Sequence, residues 1–344
     1  MTKTDRDAKH ARICEILDAH SASRLHLSKP ESLAWYFDGA RVTVPLGGPP
    51  VFSAVVGLDG EVIVTTLANE RDRLASEELG ADVIVIGQPW HEPLPAAADG
   101  VLKDTEVAAA LRAARAGLLP GERARYGALG SELAQAVTRI LTHATPEQTE
   151  RALAAQLVSA VVEIGAEPVV ILVGGEARLG IPHPLPTTGP LGRRAIVAVG
   201  ARRTGLIANL TRTVAWGLGH ENEGALRDVE ADAIAATVAG RELRDVLHDI
   251  ADSYDGHGLG ANAWQRHHQG GPTGYLGRDP KVTPESRELV VEGQAFAWNP
   301  WIPGAKAEDT VIIDRDGVEV LTADPDWPCI EVGGISRPLT LDLA

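Results

Sequence analysis

The stretch Ala195-Ile-Val-Ala-Val-Gly-Ala-Arg-Arg-Thr-Gly-Leu-Ile-Ala-Asn-Leu-Thr-Arg-Thr213 decides the fold of this chain. Its first residues form an apolar run that predicts a strand over Ala195–Gly200. Its last residues lead into a second predicted strand over Thr211–Trp216. Two positions within it, Ala198 and Asn209, are eleven residues apart. The stretch therefore belongs to a β-rich part of the chain.

Helices and further strands are predicted on both sides of this stretch. Apolar residues three or four positions apart predict helices, and β-branched runs predict strands. The predicted helices are Lys103–Leu118, Gly121–Thr142, Pro146–Gly165 and a long helical region over Glu221–Ser253. The remaining predicted strands are Val169–Val173, Glu288–Ala297, Thr310–Asp314 and Gly317–Thr322. The turn at Asp316-Gly317 favours an antiparallel sheet, so this part of the chain is predicted to be α+β.

The first part of the chain shows a different pattern. Helices are predicted over residues 5–20 and Asn69–Gly80. The predicted strands are Ser32–Phe37, Arg41–Pro45, Val51–Leu58, Glu61–Thr66 and Asp82–Ile86. A proline- and alanine-rich segment that begins at Gln88 is typical of a linker. We therefore predict an α/β domain over residues 1–98 and a second domain over residues 102–344.

Composition and charge exclude several classes of function. Lys and Arg number 32 against 47 Asp and Glu, which gives a net charge of −15. A chain this acidic has no overall electrostatic attraction to nucleic acid or to anionic membranes. Two cysteines, Cys14 and Cys329, are too few for a disulfide scaffold or a four-cysteine metal site. We expect a cytoplasmic protein that binds neither nucleic acid nor membrane.

Several segments resemble the M24 peptidase family of creatinase, aminopeptidase P and prolidase, which has the pita-bread fold. The opening stretch resembles the family's metal-ligand hairpin, which carries two aspartates eleven residues apart, the second just before Thr-Arg-Thr. Here Thr211-Arg212-Thr213 stands in that place. His267–Arg278 resembles the histidine-ligand loop, and Gly293–Pro300 and Gly304–Thr322 resemble the last two ligand strands. The resemblance implies a ribonuclease-H-like N-terminal domain followed by a pita-bread domain with a curved antiparallel sheet.

The resemblance places the five metal-ligand positions on residues that are mostly unable to bind metal. These positions are Ala198, Asn209, Gly271, Asn299 and Glu308. A dinuclear site needs several carboxylates to bridge and offset two divalent cations, and only Glu308 provides one. We therefore predict no metal and no other cofactor.

Creatinase is a branch of the family that hydrolyses a C–N bond without metal, with histidine as acid and base. Ile181–Thr188 resembles the loop that carries its base, which falls on His183, and its second histidine falls near His267. The resemblance therefore implies that His183 is catalytic, with His267 or His268 as its partner. Histidine suits this task because its free pKa lies near neutral pH.

The predicted substrate site departs from that of creatinase. Creatinase holds a cationic guanidinium group with glutamates, and those positions look like Thr211 and Asn299 here. An unpaired cation in a dry pocket is costly, so we expect a polar, neutral pocket with aromatic walls rather than a guanidinium site. The predicted substrate-binding residues are Asn209, Thr211, Tyr275, Arg278, Asn299, Trp301 and Glu308.

The basic side chains near these segments suggest partners for a substrate and for Glu308. The residues that could hold a carboxylate are Arg202, Arg203, Arg212, Arg278 and Lys306. Of these, Arg212 is expected to be structural. We expect Glu308 to pair with Lys306 or Arg212, or else to hold a proton.

Three functions fit these observations. The first is a metal-independent, creatinase-like hydrolase or lyase that acts on a small C–N-containing metabolite as a homodimer. The second is a catalytically inactive binding module, since some chromatin factors carry this fold as a protein-binding domain. The third is a metalloprotein with a rebuilt site, in which His183, His267, His268, Glu308 and Asp309 serve as ligands.

Overall fold

The computed structural model describes residues 3–344 of the chain. The helices are α1 (Lys3–Ala19), α2 (Pro30–Tyr36), α3 (Arg71–Arg73), α4 (Ala108–Ala116), α5 (Pro120–Leu141), α6 (Glu150–Glu163), α7 (Glu223–Ala236) and α8 (Leu243–Gly256). A π-helical turn, Leu74–Glu78, continues α3, and short 3-10 helices cover Glu176–Arg178 and Ala263–Arg266. In the part of the chain described, no helix combines the length and apolarity that a membrane span requires.

Seventeen strands are found in these residues. The first five are β1 (Arg24–Leu27), β2 (Phe52–Gly57), β3 (Val62–Leu67), β4 (Ile84–Gln88) and β5 (Leu102–Lys103). The next six are β6 (Glu167–Gly175), β7 (Arg194–Arg203), β8 (Leu206–Ala215), β9 (Gly270–Pro272), β10 (Gln294–Trp298) and β11 (Trp301–Ile302). The last six are β12 (Ala305–Lys306), β13 (Val311–Asp314), β14 (Gly317–Val320), β15 (Cys329–Val332), β16 (Ile335–Pro338) and β17 (Leu341–Asp342).

The chain forms two compact units, of which the first ends at Arg123 and also includes Thr204–Leu206. Its sheet has the order β4-β3-β2-β1-β5, with antiparallel pairing in the middle and parallel pairing at both edges. This is the predicted α/β arrangement. The predicted domain boundary between residues 98 and 102 stays a prediction.

Two predicted strands of this unit are wrong. Ser32–Phe37 falls on helix α2, because Pro30 occupies the first helical turn, where its missing N–H costs nothing. Arg41–Pro45 forms no strand. The predicted helix over Asn69–Gly80 is shorter, and consists of α3 and the π-helical turn.

The second unit comprises Ala124–Arg203 and Ile207–Ala344 and contains two four-stranded sheets. Their orders are β17-β8-β7-β6 and β14-β13-β10-β9. Strand β8 of the first sheet is hydrogen-bonded to the segment that leads into β13 of the second sheet. Asn209 N donates to Thr310 Oγ1 at 2.8 Å, and Thr211 N donates to the Glu308 carbonyl at 2.9 Å. The predicted strands of this unit are all present, with ends that differ by up to six residues.

Helices α7 and α8 cover the second of these sheets. Val229 and Leu247 belong to a core cluster that also contains Phe296 and Trp298 of β10. Burying an aliphatic side chain of this size contributes about 1.5–3 kcal/mol, so this cluster holds β10 firmly in place. The long helical region predicted over Glu221–Ser253 is interrupted between α7 and α8, where Gly240 has a φ of 91° that favours glycine.

Candidate active site

A cavity of about 410 Å³ lies in the second unit. Strands β6, β7 and β8 form one wall, and the segments after β9, β10 and β11 form the other. Its lining residues are Val170, Leu172, His183, Ala198, Val199, Gly200, Asn209, His268, Gly277, Arg278, Lys281, Asn299, Lys306 and Glu308. The stretch quoted at the outset therefore supplies a wall of this cavity, through the two strands β7 and β8.

Glu308 is held at the cavity by three side chains. Arg278 Nη2 lies 2.6 Å from Glu308 Oε1, and Thr211 Oγ1 donates to Glu308 Oε2 at 2.9 Å. Lys306 Nζ lies 3.7 Å from Oε2. Burial opposes ionisation, but Lys306 and Arg278 outweigh it and hold the pKa of the Glu308 carboxyl below its ordinary value. The predicted pairing of Glu308 with Lys306 is confirmed, and Arg278 is a further partner.

Three imidazoles lie close together at this cavity, and two of them, His183 and His268, line it. His183 leaves the segment after β6, while His267 and His268 precede β9. The Nε2 atoms of His183 and His267 lie 3.0 Å apart, and the rings of His267 and His268 stack with centroids 4.4 Å apart. Nitrogen atoms of all three rings lie within 4.8 Å of one another. The structure thus brings together the three histidines that were predicted to be catalytic.

The environment keeps these imidazoles neutral. Burial, together with Lys306, lowers the pKa of His267 to about 3. Burial and the neighbouring His267 and cationic groups lower the pKa of His268 to about 3. Burial also lowers the pKa of His183, with Lys306 and Lys281 acting in the same direction. A neutral imidazole has one N–H to donate and one lone pair to accept, so each ring can serve both as a hydrogen-bond donor and as a hydrogen-bond acceptor.

The depressed pKa values of His267 and His268 predict acid-sensitive folding. Below pH 6.5 the unfolded chain binds protons at these positions and the folded chain does not, so stability falls as the pH falls from 6.5 toward 3. Between pH 6 and pH 5 we expect a loss of ~1 kcal/mol for each histidine. Urea unfolding at the two pH values measures the loss. A His267→Gln/His268→Gln variant should lose correspondingly less, and equal losses in both proteins would contradict the prediction.

Asn299 is the most deeply buried polar group in the cavity wall. It is 3% exposed, and its Oδ1 atom has no hydrogen-bond partner. A buried carbonyl oxygen without a partner is costly, and a donor on a bound molecule would satisfy it. Asn209 is better satisfied, since its Nδ2 donates to Thr273 Oγ1 at 3.3 Å.

Three predicted substrate-binding residues are absent from this lining. Thr211 lines a separate pocket, although its hydroxyl donates to Glu308. Tyr275 is buried and lies outside the set of residues that line the cavity. Trp301 is also buried and lines a smaller neighbouring pocket, with its ring 6.2 Å from that of His267. The expected aromatic walls are therefore wrong, because aliphatic side chains such as Val170 and Leu172 form the walls.

The expectation of a neutral pocket is also wrong. Of the five basic residues considered from the sequence, Arg278 and Lys306 face the cavity and Lys281 joins them. The other three are paired elsewhere: Arg202 with Glu167, Arg203 with Glu132 and Arg212 with Asp309. Nothing in the sequence around Lys281 pointed to the cavity, because its position depends on the path of the loop after β9.

A buried ion network lies behind Glu308. Asp309 is bound by Arg212 at 2.9 Å and by Arg337 at 3.2 Å, and Arg337 also pairs with Glu230 at 2.9 Å. Asp309 N donates to Glu230 Oε1 at 3.1 Å. Glu308 and Asp309 are adjacent and point to opposite sides, as side chains of extended backbone do. Arg212 is therefore structural, as expected, and Asp309 serves the network rather than the cavity.

The sequence also carries the signature of a known family. A profile of metallopeptidase family M24 matches residues 128–315, which is more than half of the chain. The chain belongs to metallopeptidase family M24. No curated protein is matched by the sequence.

Solved structures of this M24 protein's relatives share its fold over nearly the whole chain. The dipeptidase PepE of Mycobacterium ulcerans superposes with a TM-score of 0.76 at 19% identity, and covers 94% of this chain and 97% of its own. The prolidase of Pyrococcus horikoshii OT3 gives 0.73 at 19% identity, with 92% and 98% covered. The N-terminal domain of the FACT complex subunit SPT16 from chickpea, Cicer arietinum, gives 0.68 at 14% identity, with 93% and 97% covered. The predicted architecture, a ribonuclease-H-like domain followed by a pita-bread domain, is confirmed.

Proposed function

We propose that this M24 protein is a metal-independent, creatinase-like enzyme that cleaves a C–N bond in a small, amide-like or amino-acid-like metabolite. The observation that carries the proposal is the pair formed by His183 and His267, whose Nε2 atoms are 3.0 Å apart beside the cavity. The two rings can share one proton, so His183 is able to accept a proton and return it. Acid/base catalysis by a positioned histidine contributes about 10²–10⁴-fold to a rate.

The proposal that the enzyme works without two metal ions is supported by the donors at the cavity. Among the described residues that line it, Glu308 is the one carboxylate. That carboxylate already binds Arg278 and Lys306, two cations of the chain itself. A dinuclear centre requires several carboxylates, which these residues do not supply. The residues therefore do not fit the pair of metals that the family name implies.

Hydrolysis by these residues would proceed in two proton transfers. His183 takes a proton from a water molecule as the water oxygen bonds to the carbon of the C–N bond. His183 then gives that proton to the nitrogen as the C–N bond breaks, so that the water is divided between the two products. The carboxamide of Asn299 is able to donate to the carbonyl oxygen of an amide and to accept from its N–H, which suits it to orient the substrate.

A mononuclear metal site at the three histidines is a second candidate, because three ring nitrogens lie within 4.8 Å of one another. The surrounding charge argues against it. The charge of Lys306 lowers the pKa of all three histidines, and that of Lys281 lowers the pKa of His183 and His268. Both lysines therefore disfavour a positive charge at this cluster. The same field would repel a divalent cation. We therefore favour proton transfer over metal binding at this cluster.

Chelation separates these two functions. Purified protein is incubated with a metabolite extract, and mass spectrometry identifies the compound that is consumed. Protein dialysed against EDTA is expected to consume this compound at an unchanged rate, and added Mn²⁺ or Zn²⁺ should not increase the rate. Loss of activity on chelation with recovery on adding metal would refute the metal-independent proposal. A search in which no compound is consumed would favour a catalytically inactive binding module.

We expect the protein to be a cytoplasmic homodimer with a small-molecule substrate. Two free cysteines, one of them the exposed Cys329, are compatible with a reducing compartment. Light scattering at micromolar concentration should give twice the 36.3 kDa of one chain. A mass of one chain at that concentration would contradict the prediction.

A further inference from the structure

We infer that the substrate is a small dianion whose acidic group binds Lys306 and Arg278 on the floor of the cavity, with Lys306 as the residue that determines this specificity. The inference rests on the proposed function, since it takes the cavity to be the substrate site. It concerns the charge of the substrate, which the reaction type leaves open.

The charges that line the cavity are unbalanced. Three cationic side chains, Arg278, Lys281 and Lys306, face one carboxylate, Glu308, among the described lining residues. Burial and the neighbouring cations keep the two lining histidines, His183 and His268, neutral, so basic side chains outnumber the carboxylate by two. A cavity lined by charge of one sign raises the local concentration of ions of the opposite sign.

Among the three cationic side chains of the lining, Lys306 is the most deeply buried. Its side chain is 5% exposed, and Glu308 Oε2, 3.7 Å away, is beyond ordinary hydrogen-bond distance. That oxygen already accepts from Thr211, and the other oxygen of Glu308 binds Arg278. A buried cation whose partner is shared in this way is costly. Burial lowers the pKa of Lys306, and an anion in the cavity would act in the opposite direction by stabilising the charged ammonium.

A second donor at the floor also lacks a partner. Arg278 Nη2 binds Glu308, but Arg278 Nε is buried without any hydrogen-bond partner. Guanidinium N–H groups of this kind match the oxygens of a carboxylate or a phosphate. An acidic group on the substrate would therefore accept a hydrogen bond from a donor that has no partner within the chain.

The rest of the cavity indicates the shape of the dianion. Aliphatic residues Val170, Leu172 and Val199 form the opposite wall, and the volume of about 410 Å³ admits a molecule of metabolite size. Asn299 offers its unpartnered oxygen to an N–H group. These features together favour an amide with two acidic groups and a short hydrocarbon stem.

Titration calorimetry with substrate-sized probes tests this inference. Succinate is expected to bind at low ionic strength at least ~10-fold more tightly than butyrate, since a hydrogen bond to a charged group contributes about 1.5–3 kcal/mol. The dication agmatine should not bind. Lys306→Met should weaken succinate binding at least ~10-fold, whereas Lys29→Met, at an exposed lysine of the first unit, should leave it unchanged. Lys281→Met, at an exposed position, is a second variant that does not depend on replacing a buried side chain.

The outcomes separate this inference from the proposed function. Equal affinities for succinate and butyrate, or binding that survives both Lys306→Met and Lys281→Met, would overturn the dianion assignment. If succinate binds as expected but the consumed metabolite is turned over without His183, the proposed chemistry fails and the dianion site stands. If turnover depends on His183 but dianions do not bind, the chemistry stands and this inference fails.

Discussion

Replacement of His183 by alanine is expected to lower turnover of the consumed metabolite at least ~100-fold. The expected loss is large because the variant removes the group that moves the proton while leaving the cavity in place. His183 is solvent-exposed at the mouth of the cavity, so the free energy of unfolding should change little. Single-turnover kinetics and urea unfolding of the variant measure the two quantities separately.

The matched control for this variant is His143→Ala. His143 is an exposed histidine at the end of α5, where it bonds the Arg139 carbonyl, and it has no part in the cavity. Its removal should leave turnover within twofold of the wild-type value. Near-complete activity in the His183→Ala variant would remove the central support of the proposed chemistry and favour a binding module.

Replacement of Arg337 by methionine is expected to destabilise the fold by about 3–5 kcal/mol, because it leaves Glu230 in the interior without its cation. Arg337 is fully buried and bridges Glu230 and Asp309. Burial already raises the pKa of Glu230 to about 7 with Arg337 beside it. The folded variant therefore keeps a proton on Glu230, whereas the unfolded chain, in which the pKa of this carboxyl is lower, releases it. The stability of the variant should fall further as the pH rises from 5.5 to 8.

Two further variants make this expectation specific. Arg315→Met removes an exposed arginine whose 2.6 Å pair with Glu292 lies at the surface, and should cost at most ~1 kcal/mol. Adding Glu230→Gln to Arg337→Met should restore part of the lost stability, because it removes the orphaned charge. If Arg337→Met and Arg315→Met cost the same, the buried network does not stabilise the fold in the way described.

The fold was predictable where the sequence pattern is periodic, and it was not predictable where every residue of a segment is buried. The strands predicted from Val169 onward and most long helices have distinct patterns, and the structure contains them with ends shifted by up to six residues. The short strands β9, β11, β12 and β15 to β17 were not predicted. In α2, by contrast, Ser32, Leu33, Ala34, Trp35 and Tyr36 are all buried. A short segment that is buried on every side shows neither helical nor strand periodicity, so pattern alone could not identify it as a helix.

The site was predictable in its residue types but not in its charge. His183 and His267 are 84 residues apart, and only the family resemblance suggested that they meet. The resemblance identified neutral residues at Thr211 and Asn299 and therefore suggested a neutral pocket. The actual charge depends on which of several basic residues are paired elsewhere, as Arg202 and Arg203 are. Such pairing is a property of three-dimensional packing that no local pattern records.

Strand β8 has a consequence for how a substrate is received. Its N–H groups at Asn209 and Thr211 already donate to the Thr310 hydroxyl and to the Glu308 carbonyl, so hydrogen bonds of the folded unit hold one wall of the cavity in place. The loss of backbone entropy that such order requires occurs when the chain folds. A substrate that enters therefore meets a preorganised surface, and little of its binding free energy has to be spent on ordering the protein. Affinity at this site should then depend mainly on complementarity of charge and shape.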